Sequence, residues 1–291
     1  MNEKLKESES LNKKLNVTLN AEQLNKEKVL EQQLEQLKKV AVAFSGGVDS
    51  TLVLCKAVQV LGSENVLALT GDTQAMPRRE LEETKRLCKN FDVSHIVFKT
   101  GEMNIDGFKN NPQDRCYLCK SSMLNTLIQK AKEQGFEHIL DGSNADDAKH
   151  FRPGSTALEE HNIISPLAKG NFSKADVRAI SYEHKLSTWN KPSFSCLYTR
   201  FEYGAFLDSK LLKSIEELEQ ILLDIGFSSP RVRMHKTQAG KTIARIEVEQ
   251  ESFEKLLDIG VREHIINACK THGFEYVCFD LEGFRSGSMD I

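Results

Sequence analysis

Short apolar runs alternate with segments of helical spacing over much of the chain. The runs lie at 40–44, 66–73, 95–100, 138–143 and 164–167. Continuous apolar runs of this length are typical of strands buried on both faces, and helical patterns near 77–90 and 116–134 separate them. This alternation predicts the α/β fold class, with a doubly wound parallel sheet.

The two ends of the chain depart from this pattern. Residues 1–21 are polar, with leucines that keep no regular repeat, and we expect a flexible N-terminal extension. Leu30, Leu34 and Leu37 then recur at helical spacing and predict a helix before the first strand. After residue 205, a long amphipathic helix, two strands of period two, further helices near 251–271 and a last strand are predicted. We expect a first domain at 22–205 and a smaller C-terminal α+β domain at 206–291.

Composition and charge limit the class of protein. With 40% apolar and 28% charged side chains among 291 residues, the chain has the make-up of a folded globular protein. A net charge of −3 gives no overall cationic field, so we expect neither nucleic acid nor a membrane as a partner. The sequence has no apolar run of membrane-spanning length and no signal-peptide pattern. We expect a cytoplasmic protein, in which the seven cysteines serve packing, metal binding or catalysis.

The segment Ser-Gly-Gly-Val-Asp-Ser at 45–50 joins the first predicted strand to its helix. Two glycines allow a turn tight enough for backbone amides to surround an anion at the positive end of the helix. The segment lacks the GK[ST] ending of the P-loop and the GxGxxG of dinucleotide-binding proteins, and a serine cap with a glycine turn is the other interpretation. SGGVDS resembles the pyrophosphate loop of the ATP pyrophosphatase superfamily. The resemblance implies a sheet of the pyrophosphate-loop ATPase type that binds ATP and Mg²⁺ through Ser45, Gly46, Gly47, Asp49 and Ser50.

Acidic segments also end later strands at the carboxyl edge of the predicted sheet. Nucleotides bind at this edge in doubly wound folds. The residues that we therefore expect to contact ATP are Gly71, Asp72, Asp141 and Gly142. We assign Mg²⁺ to the carboxylates of Asp49 and Asp146. An Asx-rich turn that caps a helix is the alternative for 141–147.

Three cysteines form the second chemical feature of the sequence. Cys116 and Cys119 are a CxxC pair, and Cys196 lies in a segment of loop character. In a cytosolic protein, CxxC is a redox pair, half of a zinc site or a pair of iron–sulfur ligands, and two thiols alone do not distinguish these. Three thiolates would bind three irons of a [4Fe–4S] cluster and leave the fourth iron without a protein ligand. A structural zinc site would need a fourth protein ligand. The other cysteines lie in regular patterns and are expected to pack.

Charged side chains share one face of the two strands predicted in the C-terminal domain. If these strands form a hairpin with a loop at 237–241, Arg231 lies opposite Glu247 and Arg233 opposite Arg245. Like charges in opposite positions destabilise a sheet unless an anion lies between or above them. A substrate phosphate would supply that anion. The alternative is an ordinary solvated face.

These motifs together resemble the LarE family, whose members are ATP-dependent sulfur transferases. They thiolate a pyridinium mononucleotide precursor of the nickel-pincer cofactor. The resemblance covers about residues 22–291, and the segments that carry it are AFSGGVDSTLVL, DRCYLCK, DGSNADDAKHFRPG, ISPLAKGNFSKADVR, PSFSCLYTRFEYG, RVRMHK, ARIEV and DLEGFRSGSMD. It implies that a substrate carboxylate is adenylated and that Cys196 is the sulfur-donating residue. Arg231, Arg233 and Glu247 match the family's substrate site, and we add Arg200 as a further anion contact.

Cys116 and Cys119 accompany Cys196 as in the branch of the family that carries a [4Fe–4S] cluster on three cysteines. In other members a lone donor cysteine is sacrificed to dehydroalanine. Either a cluster-bound sulfide or Cys196 itself would then supply sulfur. We expect a small-molecule substrate and a homo-oligomer. A tRNA-thiolating enzyme is disfavoured by the acidic balance, and a non-catalytic nucleotide sensor leaves the cysteines and paired arginines unexplained.

Overall fold

The computed structural model describes residues 19–147, 153–192, 195–285 and 287–289. Most of the extension expected at 1–21 therefore lies outside the described residues. The chain divides into two compact units, each assembled from several segments. The first comprises the chain up to Thr70, Glu82–Phe98 and Leu127–Lys191, and the second comprises Gly71–Leu81, Lys99–Thr126 and Pro192–Ile291. The domain limits expected at 21/22 and 205/206 stay predictions.

Four strands form a sheet in the order β3-β2-β1-β4. They are β1 (Val40–Ala43), β2 (Val66–Asp72), β3 (Ser94–Lys99) and β4 (His138–Leu140). The central strand β1 runs parallel to both β2 and β4, with Val40 paired to Val66 on one side and to His138 on the other. Parallel neighbours need crossover connections, which helices supply. The predicted α/β fold with a parallel sheet is confirmed.

Seven helices accompany this sheet in the described part of the chain before residue 192. They are α1 (Ala21–Leu37), α2 (Val48–Leu61), α3 (Arg78–Asn90), α4 (Arg115–Glu133), α5 (Pro153–Glu160), α6 (Pro166–Lys169) and α7 (Lys174–Glu183). The strand expected at 164–167 is wrong, since this stretch gives one bridge from Ile164 to Leu140 and then turns into α6. Pro166 explains the difference, because it cannot donate to a strand ladder and suits the first turn of a helix.

The helix expected before the first strand is confirmed as α1. Leu30 and Leu34 are fully buried in the core of the first unit, and Leu37 packs at its margin. Asn20 begins the helix with a capping box. The Asn20 side chain accepts a hydrogen bond from the Gln23 backbone amide, and the Gln23 side chain accepts one from the Asn20 backbone amide. The apolar stripe and the cap together fix where α1 starts and which face it buries.

A buried lysine links α1 to α2. The ammonium of Lys56 lies 2.8 Å from Glu27 and 2.5 Å from Glu31, and only 3% of the Lys56 side chain is exposed. Burial alone would lower the pKa of Lys56, but its hydrogen bonds to the two carboxylates outweigh burial and raise the pKa. His184, just after α7, also contacts Glu27. Lys56 and His184 therefore hold carboxylates of α1 where three helical segments meet.

A second sheet of three strands, in the order β5-β6-β7, lies in the second unit. Its strands are β5 (Arg231–Lys236), β6 (Thr242–Glu247) and β7 (Tyr276–Phe279), with helices α8 (Ser209–Ile225) and α9 (Ile259–Thr271). β5 and β6 are antiparallel, and β7 runs parallel to β6. The 250–257 stretch is a 3₁₀-helix. Of the helices within the described residues, none combines the length and apolar character that a membrane span needs.

The Lys56 cluster gives a stability prediction. Lys56→Met should lower the free energy of unfolding by about 3 kcal/mol, because it leaves two carboxylates facing each other without their cation. Chemical denaturation measures the loss. Lys213→Met is the matched control, since it removes an exposed pair with Glu217 (76% and 47% exposed side chains) and should cost less than about 1 kcal/mol. Equal losses in the two variants would contradict the assignment.

Candidate functional site

The loop at 45–50 leads from β1 into the first turn of α2. Gly46 adopts φ +70°, in the left-handed region, and a Cβ there would come within 3.0 Å of Thr84 Cγ2. Gly47 is the N-cap of α2, and among the described residues no side chain caps it. The first-turn amides at the positive end of α2 are thus left for an anion.

The two serines of the loop stabilise its shape. Ser45 Oγ and Ser50 Oγ are 3.1 Å apart, and Ser50 Oγ also lies 3.3 Å from the Gly47 carbonyl oxygen, to which it can donate. The Gly47 amide donates weakly to Ser45 Oγ at 3.4 Å. Ser50 is almost fully buried, so its hydroxyl faces the loop itself. A bound phosphate would find hydroxyls already held in place.

Asp49 carries the acidic charge of the loop. Its Oδ1 accepts a hydrogen bond from Asn144 Nδ2 at 2.9 Å, and its Oδ2 lies 2.5 Å from the ammonium of Lys174. Its carboxylate suits Mg²⁺ chemically. A metal ion there would have to compete with the Lys174 ammonium.

The loop after β4 packs directly on the start of α2. A Cβ on Gly142 would lie only 2.7 Å from the Ser50 amide nitrogen, so this contact requires glycine. The Asp141 carboxylate accepts from Ser165 Oγ at 2.6 Å and from the Ser143 hydroxyl at 2.5 Å. Asp141 thus shapes this loop, and contact of Asp141 and Gly142 with ATP stays a prediction. Residues 148–152 of the family-like segment lie outside the described residues.

Asp146 accepts a hydrogen bond from the Lys174 backbone amide at 2.8 Å. The same loop is tied down by Asn144, whose Oδ1 accepts from the Asp146 amide at 2.9 Å. Asp146 thereby joins the β4 loop to the start of α7. Its assignment to Mg²⁺ stays a prediction.

Gly71 and Asp72 end β2. Asp72 is paired with Arg78 at 2.6 Å and with Lys99 at 2.5 Å. Burial would raise the pKa of Asp72, but the hydrogen bonds from Lys99 and Arg78 outweigh it and lower the pKa. A Cβ on Gly71 would lie 2.8 Å from Met123 Sδ, which explains the glycine there by packing. Contact of these two residues with ATP stays a prediction.

The three candidate thiols share one neighbourhood in the second unit. Cys116 and Cys196 are exposed, and Cys119 is half-buried. Protein around the sulfur raises the pKa of Cys196 to about 11, and the nearby Cys116 thiol acts in the same direction. The guanidinium groups of Arg115 and Arg200 oppose this rise. Burial also raises the pKa of Cys119, and the nearby Cys196 thiol raises it further.

Arg200 holds the segment that carries Cys196. Its guanidinium forms two bonds to Glu219, from Nε at 2.6 Å and from Nη2 at 2.9 Å. Its Nη1 donates to Ser195 Oγ and Thr199 Oγ1, both at 2.8 Å. Arg200 is fully buried, so its charge is committed to positioning this segment. A direct bond from Arg200 to substrate stays a prediction. Residues 193–194 lie outside the described residues.

The register predicted for the hairpin is confirmed, with Arg231 opposite Glu247 and Arg233 opposite Arg245. The expected repulsion between the two arginines does not need a substrate phosphate to relieve it. Glu247 is fully buried and pairs with Arg233 at 2.8 Å and with Arg245 at 3.2 Å. Ser288 Oγ donates to Glu247 at 2.6 Å from the C-terminal segment. The Glu247 carboxylate therefore bridges Arg233 and Arg245 and is the anion between them.

Arg233 joins this hairpin to the cysteine segment, and Arg231 lies beside it on β5. Arg233 Nη1 donates to the Thr199 carbonyl at 3.0 Å, three residues beyond Cys196. Burial, and next the positive charge of Arg200, lower the pKa of Arg231 to about 10. Arg231 also stacks 4.8 Å from the Phe284 ring. A concentration of buried positive charge therefore adjoins the exposed thiol.

Sequence analysis missed several residues that build these sites. Glu102 is buried and accepts from Tyr198 Oη at 2.7 Å, two residues after Cys196. Asn144 and Lys174 lie 95 and 125 positions from Asp49, and Glu219 lies 19 positions from Arg200. The capping box that begins with Ser173 was the one local signal, since S-x-x-D before an apolar run predicts the start of α7.

Comparison with known proteins identifies the family. The NAD synthase family profile matches residues 21–121. Over 90% of its length the chain is 36% identical to an uncharacterized protein of Synechocystis, of which 95% is covered. It is 34% identical, over 86% of its length, to an uncharacterized protein of Methanocaldococcus jannaschii, of which 92% is covered. The pyridinium-3,5-bisthiocarboxylic acid mononucleotide synthase of Lactiplantibacillus plantarum is 34% identical over 88% of this chain and 91% of that protein. Identity of this extent over nearly the whole of both chains shows that the chain belongs to the LarE family of pyrophosphate-loop enzymes.

Proposed function

We propose that the protein uses ATP to adenylate a carboxylate of pyridinium-3,5-biscarboxylic acid mononucleotide and then converts it to a thiocarboxylate with sulfur delivered at Cys196. One observation carries this proposal. The segment with the exposed Cys196 is fastened to buried arginines on the same unit, through Arg200 and through the Arg233 bond to Thr199. An exposed thiol beside buried arginines suits an anionic substrate.

The phosphate loop supplies the first half of the reaction. A substrate carboxylate oxygen attacks the α-phosphorus of ATP, and pyrophosphate leaves with its charge stabilised by loop amides at the start of α2. Asp49 is the carboxylate of the loop that would hold Mg²⁺, with Asp146 as the second candidate. When bound, the metal supplies further positive charge for the leaving pyrophosphate.

Cys196 supplies the second half. An acyl-adenylate carries AMP as its leaving group, so the Cys196 thiolate can displace it and form a thioester. Release of the thiocarboxylate then breaks the Cβ–Sγ bond of Cys196 as the Cα proton is lost, which leaves dehydroalanine at position 196. Because the pKa of Cys196 is raised to about 11, the thiol must lose its proton as it attacks. Arg115 and Arg200 favour the anionic sulfur electrostatically.

The structure does not confirm a [4Fe–4S] cluster on the three cysteines. Within the described ranges, no group of three or more His, Cys, Asp or Glu side chains is arranged to hold a metal ion. We therefore derive no step through a cluster, and its assignment to Cys116, Cys119 and Cys196 stays a sequence-based proposal. A cytoplasmic location and a homo-oligomer are likewise proposals from the sequence.

The buried arginines bind the substrate phosphate in this proposal. The pKa of Arg231 is lowered because burial and the neighbouring Arg200 guanidinium disfavour its charged form. A phosphate dianion would offset the cost of burial and the excess of positive charge around it. Glu247 fixes Arg233 through two hydrogen bonds to one oxygen, at 2.9 and 2.8 Å.

Asp49→Ala and Ser50→Ala should abolish pyrophosphate release and leave the fold intact. The turn at Gly46 and Gly47 sets the path of the loop backbone, and the serine hydroxyls add only contacts of 3.1 to 3.4 Å within it. We therefore expect the loop to keep its fold when the contacts of Asp49 and Ser50 with phosphate or metal are removed. Release is measured with ATP, Mg²⁺ and the mononucleotide, and circular dichroism checks the fold. Pyrophosphate release at the wild-type rate in both variants would remove the loop from the proposal. The same assay separates an enzyme from a nucleotide sensor.

Arg231→Ala should weaken mononucleotide binding by about 1.5 to 3 kcal/mol, the value of a lost charge-assisted contact, and change ATP binding little. Calorimetric titration with each ligand measures both. Arg262→Ala is the control, because Arg262 is an exposed arginine on α9 of the same unit. A loss of equal size for both ligands would show that Arg231 acts on the whole fold instead.

Cys196→Ala should stop thiocarboxylate formation and leave pyrophosphate release unchanged, because adenylation needs the phosphate loop and no sulfur. Mass spectrometry of the product and a pyrophosphate assay measure the two steps separately. Loss of both steps in Cys196→Ala would contradict the assignment of adenylation to the phosphate loop and of sulfur transfer to Cys196.

Cys116→Ala and Cys119→Ala decide how sulfur is supplied. With a cluster, iron and sulfur transfer are lost together in each variant. With sacrifice of Cys196, both variants remain active and wild-type protein ends turnover about 34 Da lighter, by the mass of H₂S. Anaerobic iron and sulfide analysis with intact-mass spectrometry distinguishes the two.

A further inference from the structure

Glu102 begins a short 3₁₀-helix after β3, and only 1% of its surface is exposed. Its carboxylate accepts three hydrogen bonds within the described ranges. The donors are the Gln74 amide at 3.2 Å, the Thr100 hydroxyl at 2.5 Å and the Tyr198 hydroxyl at 2.7 Å. A buried carboxylate is costly unless such bonds satisfy it. The positions of the three donors are therefore coupled to that of Glu102.

The three donors come from separate segments of the second unit. Gln74 follows β2 and Thr100 follows β3, whereas Tyr198 belongs to the 3₁₀-helix whose N-cap is Cys196. All four residues lie within the second unit, so the contacts are internal to it. One carboxylate thus fastens the Cys196 segment to the chain that leaves two neighbouring strands.

Packing places the Tyr198 ring, and Glu102 places its hydroxyl. The ring is 1% exposed and meets the buried ring of Phe108 edge to face, with centroids 5.4 Å apart. The hydroxyl donates to Glu102. Phenylalanine at this position would keep the ring contacts and remove only the hydrogen bond.

The chain is fastened immediately after the exposed Cys196. Tyr198 lies two residues beyond the cysteine. Between them, the Leu197 amide donates to the Ala75 carbonyl at 3.0 Å, one residue beyond the Gln74 amide that Glu102 holds. The backbone that carries the thiol is thus attached to one neighbouring segment by both a main-chain and a side-chain bond.

Sulfur transfer depends on where this backbone places the thiol. Reacting atoms must come within about 3 to 3.5 Å of each other in a productive orientation, and a displacement of about 1 Å can cost about a hundredfold in rate. Adenylation needs no sulfur. A residue that only positions Cys196 should therefore affect sulfur transfer and leave adenylation unchanged.

We propose that Glu102 is a positioning residue for sulfur transfer, which fixes the Cys196 thiol through the hydroxyl of Tyr198. The inference rests on the proposed function, since it takes Cys196 as the sulfur-donating residue. Arg200 fastens the other end of the same 3₁₀-helix to α8 through Glu219. Glu102 supplies the second anchor, on the side of the thiol.

A single-turnover assay of the full chain with ATP, Mg²⁺ and the mononucleotide tests the proposal. Tyr198→Phe should slow thiocarboxylate formation about tenfold or more and leave pyrophosphate release unchanged. Thr100→Val is the matched control, because it removes a different hydroxyl from the same carboxylate and none from the Cys196 segment. It should transfer sulfur at close to the wild-type rate. Equal losses in the two variants would show that Glu102 only supports the fold, and would overturn the proposal.

The same assay separates this proposal from the proposed function. Transfer at the wild-type rate in Tyr198→Phe would overturn the role of Glu102 and leave the proposed function standing. Absence of thiocarboxylate from the wild-type reaction would overturn both.

Variants of Glu102 itself give a second test. Glu102→Gln keeps an acceptor oxygen for the Tyr198 hydroxyl and should retain most of the transfer rate, whereas Glu102→Ala should lose it as Tyr198→Phe does. Adding Tyr198→Phe to Glu102→Ala should cause no further loss, because both changes remove the same interaction. A further loss in the double variant would show that Tyr198 acts without Glu102, and would overturn the proposal.

Hydrogen exchange measures the anchor without any substrate. Tyr198→Phe should speed exchange of the Leu197 amide and leave the amides of β5 and β6 at their wild-type rates. Unchanged exchange at Leu197 would overturn the anchor and leave the proposed function standing. Faster exchange at all of these amides would show a general loss of stability instead, and would also overturn the positioning role.

Discussion

The buried pair of Arg200 and Glu219 is the interaction on which the donor segment depends. Glu219 lies on α8, is 1% exposed, and accepts both Arg200 and the Val232 amide of β5, the latter at 3.0 Å. One carboxylate thus joins a helix, a strand and the segment of Cys196. Removing one partner of such a pair leaves an uncompensated buried charge, at a cost of about 3 to 5 kcal/mol. The exposed thiol can keep a fixed position because its neighbours are held in this way.

Charge is balanced by the same means at the second buried arginine. Arg233 faces Arg245 across the hairpin, and Glu247 lies between them. The arrangement stabilises the sheet without any ligand. The pairing with Glu247 also orients Arg233 toward the Cys196 segment. Arg233 is thus both a member of a structural ion pair and a proposed substrate-binding residue.

Much of this could be predicted from sequence, because the signals were local. Apolar runs located the strands, and alternation with a five-residue loop gave the hairpin register, including Arg231 opposite Glu247. The strand expected at 164–167 was wrong because Pro166 outweighed a short apolar run. The contact of Lys174 with Asp49 joins residues 125 positions apart, and no periodicity reports such a pair. The anion between Arg233 and Arg245 is Glu247 itself, and no external anion is required. Sequence alternation does not report this, because it depends on where the Glu247 side chain points.

The central claim is that ATP cleavage and sulfur transfer act on one substrate carboxylate. A single-turnover reaction with ATP, Mg²⁺ and pyridinium-3,5-biscarboxylic acid mononucleotide tests it, with pyrophosphate, AMP and thiocarboxylate quantified in the same samples. The account predicts that the three products form in equal amounts, with pyrophosphate first. Pyrophosphate and AMP formed without thiocarboxylate, or thiocarboxylate formed without ATP, would contradict it.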